Sequence, residues 1–230
     1  TNSYLMQQVA PPPGQASVAL TDNQTMGRGR HGRTWQSPPG SGLCVSVGFT
    51  FSTKPANLPA LTLAIGLGAI AALESLGVSG VQLKWPNDRV AGNGKLGGIL
   101  TETRSHMSGA ISIVSGLGIN VHLGEKPRPG VETDWAHGIA DLAGFVDTLP
   151  SRDTLAARLI DGLCTTFIDY EAGGFEHFVA RWPDCDGLFG RELTVETPQR
   201  RVAGVGAGMA RDGALLVDAG ADAVSRVTAG

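Results

Sequence analysis

The 230-residue chain contains few cysteines, and their arrangement excludes two common kinds of site. Three cysteines occur, Cys44, Cys164 and Cys185, and no two of them form a CxxC pair. A disulfide framework usually needs an even number of cysteines, and a zinc site needs clustered ligands. The sequence therefore predicts neither, and we expect the three cysteines to be reduced and structural.

Several motifs of common catalytic sites are also missing. No GxxxxGK[ST] segment occurs, which excludes a Walker-type nucleotide site, and HExxH, GxSxG and DxDxDG are absent. No signal peptide is visible. The most apolar run, residues 58–77, lies in a stretch that is uncharged from Pro55 to Leu73, and it is at the margin of the roughly twenty apolar residues that span a membrane. The run is rich in Gly and Ala, and Glu74 ends the uncharged stretch, so we interpret the run as a buried helix of a cytoplasmic protein.

Charge is sparse, and the formal net charge is −3. This balance argues against general nucleic-acid binding, which usually needs a basic face. An RNA-binding module is disfavoured further because few aromatic residues are available for base stacking. The length suits one large domain, or one domain with a small appendage.

Positive charge is concentrated in GRGRHGRTW, residues 27–35. Arg28, Arg30 and Arg33 are separated by glycines and one histidine, and Trp35 follows. Glycines let a loop fold its backbone N–H groups around an anion, and arginines add charge and forked donors. The tryptophan offers a flat face to a ring such as adenine. The segment predicts a clamp for a local phosphate, with a solvated surface loop as the alternative.

Hydrophobic periodicity predicts an alternation of strands and helices. Strands are expected at 16–22, 44–51, 81–86, 95–104 and 109–122, and helices at 57–76, 153–171 and around 175–182. Strand 44–51 alternates in the manner of a half-buried strand. Glycines should break strand 109–122, and a loop region without periodicity spans 124–138. After Pro183, short strands with glycine-containing turns predict a small all-β module of about 45 residues.

Two further segments carry candidate site residues. In KWPND, residues 84–88, a carboxylate precedes a hairpin turn, and Lys95 follows that turn. Asp88 and Lys95 can therefore face one cavity, although a surface ion pair worth under ~1 kcal/mol is the alternative. In SGLGIN, residues 115–120, glycines inside a strand indicate a bulge or a place where a ligand meets the backbone. Asn120 could read an adenine edge or cap a turn.

Taken in order, these segments resemble those of the biotin protein ligases. TN at 1–2 is similar to the end of that family's STN motif, and NQTMGRGRHGRTW to its QxxGRGRxGRxW signature. KWPND followed by KLGGIL matches KWPND…KLAGIL, and GLGIN matches GxGxN. GVGAGMARDGALLV is similar to the family's C-terminal segment. Met26 and Gly97 replace alanines of the family pattern.

The resemblance covers essentially the whole chain and implies an α+β fold. A mixed sheet packed with helices would form a biotin/lipoate ligase-like catalytic domain at 1–184, followed by a small SH3-like β-barrel at 185–230. The chain begins at the STN-like position and shows no helix-turn-helix pattern. We therefore expect the catalytic part without an N-terminal DNA-binding domain, no DNA or membrane partner, and a monomer or weak homodimer.

The resemblance also implies a two-step reaction. Biotin and ATP, with Mg²⁺ as the cofactor, give biotinyl-5′-AMP, and biotin is then transferred to a lysine of a biotin carboxyl carrier domain of a biotin-dependent carboxylase. A lipoate or octanoate ligase or transferase of the same fold is the alternative. The three-arginine segment ending in tryptophan and the intact KWPND favour biotin.

Site roles follow from the same resemblance. Catalytic roles are implied for Arg28, Arg30, Lys95 and Asp88, and Asp88 would steer either Mg²⁺, as the candidate metal ligand, or the acceptor lysine. Biotin binding is implied for Thr1, Asn2, Gln24, Gly27, Arg28, Gly29, Arg30, Lys95, Gly116 and Gly118. ATP or adenylate binding is implied for Arg30, Arg33, Trp35, Asn87, Lys95 and Asn120.

Overall fold

The structure is a computed structural model that describes residues 1–92, 94–107, 109–124, 138–197, 200–220 and 224–228. Most of the predicted loop region, residues 125–137, lies outside the described residues. The helices are α1 (Asn2–Gln7), α2 (Leu61–Glu74), α3 (Arg152–Gly173), α4 (Glu176–Val179) and α5 (Trp182–Cys185). Short 3-10 turns occur at Arg30–Gly32, Leu58–Ala60 and Leu142–Gly144.

Twelve strands are present among the described residues. The first eight are β1 (Ala16–Thr21), β2 (Gln24–Arg28), β3 (Thr34–Ser37), β4 (Gly42–Phe51), β5 (Val81–Lys84), β6 (Asp88–Ala91), β7 (Gly94–Ser105) and β8 (Ile111–Asn120). The C-terminal ones are β9 (Glu192–Glu196), β10 (Arg201–Met209), β11 (Leu215–Asp218) and β12 (Val224–Val227).

The central sheet has six strands in the order β1-β4-β8-β7-β6-β5. Its named strands pair antiparallel. Parallel pairing enters through single bridges from Leu83 to Asp186 and from Lys95 to Ile139, so the sheet is mixed in this limited sense. The predicted α+β class, with helices packed on a mixed sheet, is confirmed.

The two long helices cover one face of this sheet. The predicted apolar stripe of α3 is confirmed, since Leu155, Leu159, Leu163, Phe167 and Tyr170 are buried. Helix α2 begins after a 3-10 turn, and Gly77, with φ +81°, follows its C-terminal end, as expected for a residue that terminates a helix. No helix in the described ranges combines the length and apolarity needed to cross a membrane.

Three details differ from the sequence-based predictions. Strand β4 is buried at every residue instead of on one face, because α3 packs on one side and α1 and β3 contact it as well. Strand β8 is not broken at its glycines and pairs with β4 along its whole length. The single helix predicted near 175–182 is two short helices, because Pro183 lacks an N–H and favours the first turn of a new helix.

The C-terminal strands form a second sheet in the order β12-β11-β10-β9, which confirms the small β module and is compatible with an SH3-like domain. Its buried residues Val202, Leu215 and Val217 belong to the same apolar core as the residues under the central sheet. The boundary between 184 and 185 stays a prediction.

Candidate active site

A cavity of about 1210 Å³ lies between the β2–β3 hairpin, the central sheet and the C-terminal sheet. It faces away from the long helices: Leu83 of β5 packs against Gly66 of α2, whereas Lys84, the next residue, lines the cavity. Fourteen predicted site residues line it: Thr1, Asn2, Gln24, Arg28, Gly29, Arg30, Arg33, Trp35, Asn87, Asp88, Lys95, Gly116, Gly118 and Asn120.

Gly27 does not line the cavity and serves the hairpin instead. It pairs with Trp35 across β2 and β3, and a Cβ atom at position 27 would collide with the Trp35 carbonyl oxygen. The arginine segment is therefore a hairpin rather than an irregular loop. Its tip is a 3-10 turn in which His31 has φ 54°, and the Gly29 N–H donates to the Arg33 carbonyl over 2.7 Å.

Glycines on the cavity face of the sheet make room for side chains of the site. A Cβ at Gly118 would lie 2.8 Å from Cε2 of the Trp35 ring, and one at Gly98 would lie 3.3 Å from Oδ1 of Asp88. A Cβ at Gly116 would collide with Oδ1 of Asn2. The glycines of β8 therefore do not interrupt the strand. They leave a flat surface on which the side chains of Asn2 and Trp35 rest.

The carboxylate and ammonium expected to share a cavity form an ion pair. Lys95 Nζ lies 2.8 Å from Asp88 Oδ1, and their side chains are 27% and 17% exposed. Partial burial lowers the pKa of the Arg30 guanidinium, while the Asp88 carboxylate acts in the opposite direction. Asp88 therefore lies close enough to two cationic groups, one from the hairpin tip and one from β7, to interact with both.

Two asparagine side chains that line the cavity donate hydrogen bonds to backbone carbonyl groups. Asn87 Nδ2 donates to the Ile99 carbonyl over 3.0 Å. Asn120 Nδ2 donates to the Ala140 carbonyl at 3.0 Å and contacts the Lys95 carbonyl at 3.3 Å. These bonds fix the strand that carries Lys95, and they use only the donor end of each side chain.

Trp35 lies over the floor of the cavity. Its ring rests on Gly118, and its Nε1 is buried with no hydrogen-bond partner among the described residues. Beneath it, Cys44 lines the cavity and is a free thiol. The flat aromatic face expected from the sequence is therefore positioned above the sheet.

Sequence reasoning missed the contributors that lie outside the motifs. Strand β9 and the residue after it, at 193–197, line the cavity from the C-terminal sheet, and Ser46 and Glu102 contact motif residues. A serine in the apolar strand β4 was a usable signal. The approach of β9 depends on tertiary packing, for which the sequence carries no local signal.

The donor set for a metal ion is small. Within the part of the chain that the structure describes, no group of three or more His, Cys, Asp or Glu side chains could hold a metal ion. Asp88 is a single carboxylate, already paired through Oδ1.

The Biotin/lipoate A/B protein ligase family matches residues 2–120. The chain belongs to this family. Among relatives of this biotin/lipoate ligase family member, the bifunctional ligase/repressor BirA of Escherichia coli is 32% identical over 219 residues, which cover 95% of the chain and 66% of BirA. The biotin--[acetyl-CoA-carboxylase] ligase of Mycobacterium tuberculosis is 31% identical over 208 residues, covering 88% of the chain and 73% of that protein. The chain thus spans just under two thirds of the length of BirA.

Solved structures agree with the fold of this family member. The biotin protein ligase of Aquifex aeolicus in complex with biotin and ATP superposes with a TM-score of 0.80 at 26% identity, covering 100% of the chain and 92% of the ligase. The biotin protein ligase of Leishmania major in complex with biotinyl-5-AMP gives a TM-score of 0.58 at 23% identity, covering 94% and 90%. The second similarity concerns the fold alone.

Proposed function

We propose that the chain is an ATP-dependent biotin protein ligase. It forms biotinyl-5′-AMP from biotin and ATP, and then transfers biotin to a lysine of a biotin carboxyl carrier domain. The observation that carries the proposal is the convergence of three separate motif segments, at 24–35, 84–95 and 116–120, on one cavity. The named biotin ligases among the relatives support it.

In the first step a carboxylate oxygen of biotin attacks the α-phosphorus of ATP. The new bond is the P–O bond of the mixed anhydride, and pyrophosphate leaves. Two anions must approach each other, so neutralising charge matters more than proton transfer. Arg30 and Lys95 supply positive charge in the cavity, and Arg28 and Arg33 add to it from the hairpin.

In the second step the neutral amine of the carrier lysine attacks the biotinyl carbonyl. A C–N bond forms, the C–O bond to AMP breaks, and the nitrogen loses a proton. Asp88 is a carboxylate that lines the cavity and can accept that proton. Its ion pair with Lys95 keeps it oriented within the cluster.

The remaining residues suit binding of the two substrates. Thr1 and Gln24 present polar groups at the end of the cavity beside the N-terminus, where the ureido group of biotin requires donors and acceptors. Above Gly118, Trp35 offers a stacking face. The amide oxygen of Asn120 can accept from the amino group of adenine.

The donor set fits Mg²⁺ that arrives with ATP. Mg²⁺ usually keeps several waters and is bound through one or two carboxylates plus substrate phosphates, and Asp88 can supply one such carboxylate. When bound, the ion would neutralise phosphate charge. The protein's own part is to keep Asp88 and Lys95 on the flat surface at Gly98.

Lipoate or octanoate as the substrate is not favoured, because the Mycobacterium tuberculosis relative and the Aquifex aeolicus structure are named for biotin. The carrier domain, a monomer or weak homodimer, the lack of a DNA partner and a cytoplasmic location stay predictions.

The test is intact-mass spectrometry of a carrier domain incubated with the enzyme, biotin and MgATP. We expect one biotin mass per carrier, and no increase when ATP is omitted or lipoate replaces biotin. Labelling by lipoate at an equal rate, or no labelling across several carriers by a folded enzyme, would contradict the proposal.

A matched pair of variants links the activity to the cavity. A charge-assisted bond contributes ~1.5–3 kcal/mol, so Lys95→Ala should slow adenylation by roughly tenfold to a few hundredfold. Lys54→Ala removes an exposed lysine that does not line the cavity and should leave the rate unchanged. Thermal melts of both variants separate a slow enzyme from an unfolded one.

A further inference from the structure

A circuit of side-chain hydrogen bonds begins on the arginine hairpin and runs through the N-terminus into the central sheet. Gln24 Nε2 of β2 donates to Thr1 Oγ1 over 3.2 Å. Ser46 Oγ of β4 lies 2.6 Å from Thr1 Oγ1 and 2.6 Å from Asn2 Oδ1. One buried hydroxyl on the central sheet thus joins the first two residues of the chain.

The circuit closes through an acidic residue on β7. Asn2 Nδ2 donates to Glu102 Oε2 over 2.9 Å and to the Leu100 carbonyl over 3.0 Å. Arg28 Nη2 lies 3.0 and 3.1 Å from the two carboxylate oxygens of Glu102, and 3.1 Å from Ser3 Oγ. Arg28 is on β2, four residues after Gln24, so both ends of the circuit hold the same strand.

Glu102 is the member of this circuit that joins a charge to a buried amide. Its side chain is 25% exposed, that of Arg28 is 51% exposed, and Asn2 is buried. Gly116 fits the same arrangement, because a Cβ there would displace the Asn2 amide. Four members of the circuit were predicted to bind biotin, whereas Glu102 and Ser46 lie outside the recognised motifs.

We propose that Glu102 is a positioning residue that fixes Arg28 and Asn2 together and so holds β2 in its binding conformation. A carboxylate has about four acceptor sites and can serve both donors at once. A glutamine has one acceptor oxygen and would turn an amide donor toward either Arg28 or Asn2. The binding part of this inference rests on the proposed function, whereas the ordering of β2 does not.

The experiment compares Glu102→Gln with Glu102→Asp, which keeps the charge, and with Glu74→Gln as the control. Glu74 pairs with Arg181 on the surface and does not line the cavity. Amide hydrogen exchange is followed over residues 24–28 of the free protein, and biotin affinity is measured by calorimetry. Kinetics with biotin, MgATP and a carrier domain give KM and kcat separately.

For Glu102→Gln we expect about tenfold faster exchange over 24–28 and about tenfold weaker biotin binding. The KM for biotin should rise by about the same factor, while kcat at saturating biotin should fall by a smaller factor, because Arg28 keeps its charge beside the cavity. Glu102→Asp should recover part of both losses, and Glu74→Gln should match the wild type.

Wild-type exchange in Glu102→Gln, or faster exchange with unchanged biotin affinity, would overturn the positioning role. If the wild type neither binds biotin nor labels a carrier, the proposed function fails, and the exchange measurement alone decides whether Glu102 orders β2. If Glu102→Gln does not fold, Arg28→Gln breaks the Arg28–Glu102 pair from its more exposed side. Unchanged exchange over 24–28 in that variant would then count against the inference.

Discussion

Arg89 is the largest fully buried side chain in the described structure. It pairs with Leu83 across β5 and β6 and so faces the helices, not the cavity. None of its three guanidinium nitrogens has a hydrogen-bond partner among the described residues. Burial lowers its pKa from 12.5 to about 9, although the Asp88 carboxylate acts in the opposite direction. Burying a charge without full pairing costs stability, so this position is energetically unfavourable at neutral pH.

Replacing Arg89 with an apolar residue should therefore stabilise the protein. We expect Arg89→Met to raise the free energy of unfolding by about 1–4 kcal/mol at pH 7, measured by urea titration. The pKa is lower in the folded state than in the unfolded state, so the unfolded chain binds more protons between the two values. The wild type then gains stability from this group as pH rises through about 9.

The advantage of Arg89→Met over the wild type should accordingly shrink between pH 8 and pH 11. Comparing the two proteins at each pH cancels the titration of the groups they share. An advantage that grows with pH, or a variant less stable than the wild type at pH 7, would show that Arg89 is paired in solution.

At the scale of the elements, the contact between α2 and α3 depends on small residues. A Cβ at Gly68 would collide with the hydroxyl of Thr166, which itself donates to the Gly162 carbonyl over 2.8 Å. A Cβ at Gly162 would lie 3.0 Å from the Gly68 carbonyl. The two helix backbones therefore approach closely at this crossing.

Gly68→Ala should destabilise the protein although alanine is the better helix former. The propensity gain is about 1 kcal/mol, whereas overpacking costs typically ~1–3 kcal/mol. We expect a lower melting temperature, by roughly 2–4 °C for each kcal/mol of net loss in a chain of this size. Thr166→Ala in the same chain removes the colliding hydroxyl and should restore part of the stability. If Gly68→Ala alone melts above the wild type, the two helices accommodate the added methyl group without a loss of stability, and the prediction is wrong.

The helices and strands also show which features could be predicted from the sequence. The 3.6-residue period predicted α3 correctly, because its buried stripe is encoded within the helix itself. The motifs brought most of the predicted site residues to one cavity, although they account for only part of its lining. The second buried face of β4 and the contacts of Glu102 could not be predicted in this way. They depend on segments distant in the chain, and no local pattern records them.

At the scale of the whole molecule, the two sheets are joined around α2 and the cavity. Trp85 Nε1 donates to the Gly213 carbonyl over 3.0 Å, and Asn57 Nδ2 donates to the Asp212 carbonyl over 2.6 Å. A Cβ at Gly213 would lie 2.9 Å from the Cβ of Ala60, so this turn of the C-terminal sheet packs against the start of α2. Because the apolar core is shared as well, neither sheet keeps its buried surface without the other.

We therefore expect the chain to unfold as one cooperative unit, with a single calorimetric transition whose enthalpy equals the van't Hoff value. Trp85→Phe removes the indole N–H and leaves the Gly213 carbonyl unpaired, which should cost ~1–3 kcal/mol. The whole transition should then move down by roughly 2–4 °C per kcal/mol and remain single, because the loss is felt by both sheets. Two transitions in the wild type, or a variant in which only part of the heat shifts, would contradict this coupling. The cavity would in that case be built between two independently stable parts, and β9 could move away from the arginine hairpin without unfolding either sheet.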